Sequence, residues 1–316
     1  MDLTDKNIVV TGGNGFLGSW VTKLLKEQYN VPAENIYIPK SREWDLRLID
    51  NAINLLRGKD IVINLAAKVG GIGYNQRYPG SLFYDNIMIG SNIIEAARIN
   101  NTEKVVQVGT VCSYPKFANV PFDENDLWNG YPEETNAPYG VAKKALIVMA
   151  DAYFRQYGLR TINPILVNLY GPGDNFSLES SHVIPALIYK IYSATVKKAN
   201  SVEVWGTGKA SREFVYVQDA ARGIILATMR YDKVEPVNIG SGQEIKIKDL
   251  TELISDKLKF KGSIKWDHSK PDGQPRRKLN IIKALSEFDF KAETDLDTGL
   301  DATIKWYLSN IKHEES

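Results

Sequence analysis

The stretch "VTGGNGFLGS", residues 10–19, constrains this chain more than any other. It follows the apolar run Ile8-Val9-Val10 and leads into residues 20–29, which read as a helix. Gly12, Gly15 and Gly18 therefore fall three residues apart at a strand-to-helix turn. A helix start presents N–H groups without intrahelical partners and a partial positive charge, and glycine lets an anion approach them closely. In a dinucleotide-binding turn the first glycine makes the bend, the second admits the pyrophosphate and the third lets helix pack on strand. The reading is a phosphate held by the backbone around Gly12, Asn14, Gly15, Phe16, Leu17 and Gly18.

The first half of the chain alternates strand-like and helix-like stretches. Strands are expected at 7–10, 35–38, 60–65, 104–108 and 161–167, and helices around 46–56, 81–99 and 139–157. Apolar strands alternating with helices imply a parallel sheet covered on both faces. The fold class is therefore α/β, a Rossmann-type doubly wound sheet whose ligands sit at the carboxyl ends of its strands. Leu65, Ala66 and Ala67 follow the third strand at that edge and belong to the expected cofactor wall. After Tyr170 the texture changes, beginning with the turn-rich "GPGDNFSLESS", and strand signals recur at 202–205 and 214–217. Residues 1–170 are expected to form the cofactor-binding domain, with a segment around 214–240 returning to it. Residues 171–316 are expected to form mainly a smaller, mixed α/β substrate lobe.

With 316 residues, 43% of them hydrophobic, the chain can bury one large core and a second smaller one. A formal net charge of +1 offers no electrostatic reason to expect nucleic acid. Cys112 is the one cysteine, which excludes an intrachain disulfide and a thiolate metal site, and no metal is expected. The start "MDLTDKNIVV" enters a strand without a basic-then-apolar leader, and no apolar run approaches the ~18 residues of a membrane span. These features lead to the expectation of a cytoplasmic protein without membrane contact.

An NAD site usually places an acid ~20 residues past the glycines, at the end of the second strand. Here that strand ends "IYIPKSREWD", with no acid before Glu43. Lys40, Ser41 and Arg42 are suited to a 2′-phosphate instead, so NADP is the expected cofactor and NAD the alternative. Asp45 is the candidate for the adenine edge. The chemistry points to "NAPYGVAKK", where Tyr139 and Lys143 stand four apart on one helix face. A free phenol has a pKa of ~10, and an adjacent ammonium is expected to bring it down towards neutrality. Lys143 also suits the nicotinamide ribose. Thr110, in "VGTVCSYPK" after the fourth strand, offers a hydroxyl for a substrate carbonyl beside that tyrosine.

These motifs, with "NLAAKVGGIGYN", "YPEETNAPYGVAKK", "VNLYGPGDNF", "SHVIPAL", "VWGTG", "REFVYVQDAA" and "SKPDGQPRRKL", run nearly end to end. By them the chain resembles the extended short-chain dehydrogenase/reductase family acting on nucleotide sugars, within its NAD-dependent epimerase/dehydratase group. The GDP-L-fucose synthase branch is the most similar. The resemblance implies NADPH as cofactor, a GDP-4-keto-6-deoxy sugar as substrate and a homodimer. It also gives Cys112 and His182 the role of an acid–base pair acting at sugar C3 and C5, beside Thr110, Tyr139 and Lys143. The chemistry is coherent, because a C4 ketone acidifies the flanking C–H bonds, and a free thiol (pKa ~8.5) and imidazole (~6.5) both work near neutrality.

Trp205 is expected as a wall for the nucleotide, and Lys190, Arg212 and Lys270 as charge for the diphosphate. Asn168 and Asn175 are polar groups at the sheet edge, the first beside the cofactor and the second beside the sugar. Three positions depart from the branch: Thr110 replaces a serine, Lys190 an arginine and Asn14 a basic residue. An epimerase or reductase of another nucleotide-activated hexose or heptose is the alternative reading. A nucleotide sensor would have no use for this set of reactive side chains. The helices at 81–99 and 139–157, apolar around much of their circumference, are the expected four-helix dimer contact.

Overall fold

The computed structural model describes residues 1–177, 180–270 and 272–310. Its first half alternates through β1 (Ile8–Thr11), α1 (Phe16–Glu27), β2 (Ile36–Tyr37), α2 (Ile49–Leu56), β3 (Ile61–Asn64) and α3 (Ile72–Arg77). It continues through α4 (Pro79–Ile99), β4 (Lys104–Gln107), β5 (Gly109–Thr110) and α5 (Ala137–Tyr157). Every residue of β1, β3 and β4 is buried, as strands with helices on both faces must be. Ile8, Val10, Ile63 and Val106 face a core shared with α1, whereas Val9, Val62 and Val105 face one lined by α2, α4 and α5.

The segment read as one strand over 161–167 is divided into β6 (Thr161–Ile162) and β7 (Pro164–Leu166), and β8 (Asn168–Tyr170) follows. One register runs through the break, with Val105 opposite Thr161 and Gly109 opposite Ile165. Pro164 has no N–H to donate, which accounts for the interruption. The main sheet runs β2–β1–β3–β4–β6, parallel throughout. Successive strands diverge on either side of β1, which puts the topological switch point beside the glycine turn.

The second half comprises α6 (Val183–Val196), β9 (Ser201–Trp205), β10 (Ser211–Tyr216), α7 (Val217–Arg230), β11 (Val237–Ile239) and β12 (Glu244–Lys246). It ends with α8 (Ile247–Lys257), β13 (Ser263–Asp267), β14 (Arg276–Arg277), α9 (Ile282–Phe288) and α10 (Leu296–Asn310). Residues of α6, α8, α10, β9 and β10 build a separate apolar cluster around Ile188, Val204, Ile254 and Ile304. By contrast α7 packs on α1, and β11 pairs with β7 in the parallel arrangement. Lys104 pins the end of α7 to the sheet: its buried Nζ donates to Thr228 O, Tyr231 O and Asp232 Oδ1, each at 2.7 Å. Among the described residues no helix is long and apolar enough to cross a membrane.

The glycine turn is packed to its limit. Gly12 has φ +68°, a left-handed conformation that glycine adopts without strain. A Cβ on Gly18 would overlap Gly12 O and come within 2.6 Å of Gly13 Cα, and both are backbone atoms. Gly18→Ala is therefore expected to destabilise the fold by about 1–3 kcal/mol. Gly80, exposed on α4 with open space around it, should tolerate alanine with no loss. Thermal unfolding of the two variants checks this, and equal midpoints would contradict it.

Candidate active site

The carboxyl ends of β1, β3 and β4 are tied by a row of side chains. Thr11 Oγ1 donates to Asn64 Oδ1 at 2.6 Å, and Asn64 Nδ2 donates to Gln107 Oε1 at 2.8 Å. Ala66 N donates to Thr11 Oγ1 at 3.1 Å, which draws the end of β3 against the glycine turn. Gly15 caps α1 in an extended conformation, with no side-chain cap and no acid in the first turn. Only Gly12 O lies within 4 Å of where a Gly15 Cβ would stand. Open helix N–H groups and cavity space in place of a side chain fit the pyrophosphate of a dinucleotide.

This turn borders a cavity of about 1110 Å³ along the sheet edge. That exceeds the ~300–1,000 Å³ usual for one small ligand and suits two. Gly12, Asn14, Gly15, Phe16, Leu17 and Gly18 line one end, with Leu65, Ala66 and Ala67 beside them. Ser41 and Asp45 also line it, but Lys40 and Arg42 stand outside. Both of these are more than half exposed and turn towards Glu43, at 3.8 Å and 3.6 Å. The cation at this edge is Arg47, which pairs with Asp45 at 2.7 Å and Asp85 at 3.1 Å. The sequence reading did not single out Arg47 or Asp85, because Arg47 lies in the turn before α2 and Asp85 on α4, far along the chain.

At mid-cavity Thr110, Cys112, Tyr139, Lys143, Asn168 and His182 come together. Thr110 ends β5 and Cys112 sits in the short turn after it, where its N–H donates to Thr110 Oγ1 at 3.2 Å. The first turn of α5 lies directly on this segment. A Cβ on Gly140 would overlap Cys112 O, and Ser113 Oγ donates to Gly140 O at 3.0 Å. Gly140 thereby holds Tyr139 against Cys112, a constraint unseen in the sequence because the partner backbone lies far away in the chain.

Burial is the main cause that raises the Tyr139 phenol well above its ordinary pKa. Cys112 adds to the rise, and a hydrogen bond with Thr110 opposes it. This corrects the expected lowering by the neighbouring ammonium, since Lys143 donates to Val108 O at 3.0 Å and does not offset the desolvation. Burial pushes Lys143 itself down to about 8.

His182 is the N-terminal cap residue of α6, and its side chain makes no capping bond. The ring is open to the cavity but walled by protein. Desolvation, then Arg277, holds its pKa below the ordinary imidazole value.

The far end is cationic. Lys190, Trp205 and Arg212 line the cavity there, and the Lys190 and Lys270 ammonium groups each lie 5.3 Å from the Trp205 ring. Lys270 lies outside the lining, as does Asn175, whose side chain bonds Ser180 Oγ and Ser177 N within its own loop. Arg212 donates to Ser211 O and Asp272 O; burial, then Arg277, brings its pKa to about 10. Arg277, 8% exposed, also directs Nη1 to Cys112 Sγ at 3.8 Å. Two neighbouring guanidinium groups, Arg277 buried and Arg212 half-buried, concentrate positive charge that suits a multiply charged anion. The pair of arginines in "SKPDGQPRRKL" was the available signal for Arg277, but only β14 pairing with β10 brings it beside Arg212.

Residues 8–240 match the NAD dependent epimerase/dehydratase family. GDP-L-fucose synthase 1 of Arabidopsis thaliana is 40% identical over 313 residues, covering 98% of this chain and 96% of that protein. GDP-L-fucose synthase of Escherichia coli (strain K12) is 36% identical over 321 residues, covering 98% of each. Among solved structures, a GDP-6-OMe-4-keto-L-xylo-heptose reductase from C. jejuni is similar with a TM-score of 0.90 at 27% identity, covering 98% of this chain and 99% of that one. A GDP-L-fucose synthetase from Naegleria fowleri bound to NADP is similar with a TM-score of 0.86 at 28% identity, covering 97% and 95%. With the glycine turn, the sheet order and these matches in agreement, the chain belongs to the NAD dependent epimerase/dehydratase family and, within it, to the GDP-L-fucose synthase branch.

Proposed function

We propose that this protein makes GDP-L-fucose from a GDP-4-keto-6-deoxy sugar, epimerising C3 and C5 and then reducing C4 with NADPH. The observation that carries the reading is the opening of Thr110, Tyr139, Lys143, Cys112 and His182 into one cavity large enough for two ligands. The glycine turn holds the pyrophosphate, Ser41 meets the 2′-phosphate with Lys40 and Arg42 on the same loop, and Lys143 holds the nicotinamide ribose. Residues 1–170, with the stretch around 214–240, serve the cofactor, and residues 171–316 serve mainly the nucleotide sugar. Arg212, Arg277 and Lys190 neutralise the diphosphate. The working compartment is the reducing cytoplasm, which suits a catalytic thiol.

Cys112 removes the proton α to the C4 ketone and His182 returns one to the opposite face; both groups then exchange protons with solvent before the pair acts at the other flanking carbon. Thr110 hydrogen-bonds the C4 oxygen and stabilises the enolate formed on the sugar. NADPH, when bound, supplies the hydride for C4. Tyr139, held protonated by its buried setting, gives its proton to the C4 oxygen, and the Lys143 ammonium stabilises the phenolate left behind. A second reading, reduction or epimerisation of a GDP-heptose, is favoured by the structural likeness to the heptose reductase. NADPH oxidation with a panel of GDP-4-keto sugars separates the two readings.

The two chemistries in one site should come apart by mutation. Cys112→Ser is expected to keep oxidising NADPH but without prior inversion, since a serine hydroxyl is too weak an acid to act as a base near neutrality. Tyr139→Phe is expected to slow reduction by about 10²–10⁴-fold while solvent deuterium still enters C3 and C5. NMR of the sugar protons in D₂O reads both. Wild-type exchange rates in Cys112→Ser would make the cysteine a packing residue and end the bifunctional reading.

The pH profile follows from Lys143, whose pKa is pushed down to about 8. The ammonium is present below that value and lost above it. The kcat/KM for reduction should therefore fall about tenfold per unit as pH rises past 8. Lys143→Arg, charged throughout, should abolish that limb in whatever activity remains. A wild-type profile flat to pH 10 would exclude the ammonium from the mechanism.

A homodimer through α4 and α5 is supported by the apolar residues that these two packed helices expose, Tyr84, Ile99, Val148, Phe154 and Tyr157. An exposed apolar face on paired helices supports a two-fold four-helix contact. Val148→Asp is expected to convert a dimer to a monomer in light scattering, and a wild-type monomer at micromolar concentration would contradict the assignment.

A further inference from the structure

Arg277 stands where the cationic end of the cavity meets the reactive middle. It lies on β14, opposite Arg212 in the pairing with β10, and is 8% exposed. Its Nη1 donates to Cys112 Sγ at 3.8 Å, and its Nε donates to Gln274 Oε1 at 3.3 Å. Gln274, 5% exposed, turns its Nε2 to Lys116 O at 3.0 Å and to Pro115 O at 3.4 Å. An amide nitrogen only donates, so those two carbonyls fix the amide with its oxygen towards Arg277. Pro115 and Lys116 continue the turn that carries Cys112. The guanidinium is thus held at two points against one short stretch of chain, and its place relative to the sulfur is set by that stretch.

Arg277 also reaches the other member of the acid–base pair. After desolvation, its charge is the cause that holds the His182 pKa below the ordinary imidazole value. The cation therefore stands beside both reactive groups, and Gln274 decides where it stands. Both ends of the Gln274 amide are engaged within the protein, which marks it as a support for Arg277 rather than a ligand contact. A long side chain is costly to order, and an anchor within the fold removes that cost from the reaction.

We infer that Gln274 is a positioning residue that acts through Arg277 to hold the Cys112 sulfur in line for proton removal at C3 and C5. The inference deepens the epimerase/reductase reading above and rests on it. Hydride transfer at C4 uses Tyr139, Lys143 and the cofactor, whereas the relay runs from Pro115 and Lys116 through Gln274 and Arg277 to Cys112. It therefore serves one of the two chemistries. A misplacement of about 1 Å in such a step costs up to about 10²-fold in rate.

The test uses the full-length enzyme with NADPH and GDP-4-keto-6-deoxymannose in D₂O. Gln274→Leu keeps the bulk of the side chain and removes its hydrogen bonds. It should slow deuterium entry at C3 and C5 about tenfold to hundredfold in kcat, with KM and NADPH oxidation changed less than about threefold. The reduced but unepimerised sugar should accumulate. Arg277→Lys keeps a charge for the diphosphate but has no fork to span Gln274 and the sulfur, and it should slow exchange to a similar degree. The double variant should be no slower than the slower single one, because both act through one contact. Cys112 is the one cysteine, so alkylation by iodoacetamide reads its sulfur directly. Ligand-free Gln274→Leu should react about threefold to tenfold more slowly than wild type, having lost the guanidinium donor that steadies the reacting sulfur. Thermal midpoint and NADPH binding serve as folding controls. The inference is overturned if Gln274→Leu leaves exchange unchanged, if it slows exchange and reduction equally, or if the two single effects add. A wild type that takes up no deuterium at C3 and C5 would refute the functional reading instead. The alkylation rates would then decide the relay by themselves, and equal rates overturn it.

Discussion

The backbone of α5 lies on the carbonyl of Cys112 at Gly140 with no room for a methyl group, and the site is arranged around that contact. It brings the helix that carries Tyr139 and Lys143 against the turn that carries Thr110 and Cys112. Close backbone approach is less adaptable than a side-chain contact, because neither partner has a rotamer to change. The geometry between phenol, hydroxyl and thiol is therefore set by the fold. The same device appears at the other end of the cavity, where Gly18 lets α1 close on the turn at Gly12 and Gly13. Two tight backbone contacts thus bracket the cavity along the sheet edge.

Around this rigid middle, burial governs the charges. Desolvation raises the Tyr139 pKa, lowers that of Lys143 to about 8 and holds that of His182 below the ordinary imidazole value. These shifts favour proton donors and acceptors that work near neutral pH without a strong neighbouring charge. The exception is the end built by Arg212 and Arg277, where like charges are held together under low exposure. Such a pair of like charges is costly unless an anion joins it. Lys190 and Lys270 flanking the Trp205 ring extend the positive field to the cavity mouth.

Much of this was legible in the chain. The alternation of apolar strands and helices is a local pattern, and it led directly to the parallel sheet. The interruption at Pro164 was missed, because the run 161–167 looked continuous, although a proline cannot donate to a ladder. The basic loop was the weaker inference. Lys40 and Arg42 stand in the right segment but turn to Glu43, whereas Arg47, further on, faces the cavity. Loop side chains have no periodicity from which a direction can be read.

The sequence by itself determined the fold class and the glycine turn between the first strand and helix, because each depends on neighbours within a few positions. Tertiary structure alone decided which reactive groups meet. Gly140 matters only through Cys112 O, and Arg277 only through its strand pairing beside Arg212. Each of these relations joins residues distant in the chain. They depend on chain path and on desolvation, which no local pattern of residues encodes.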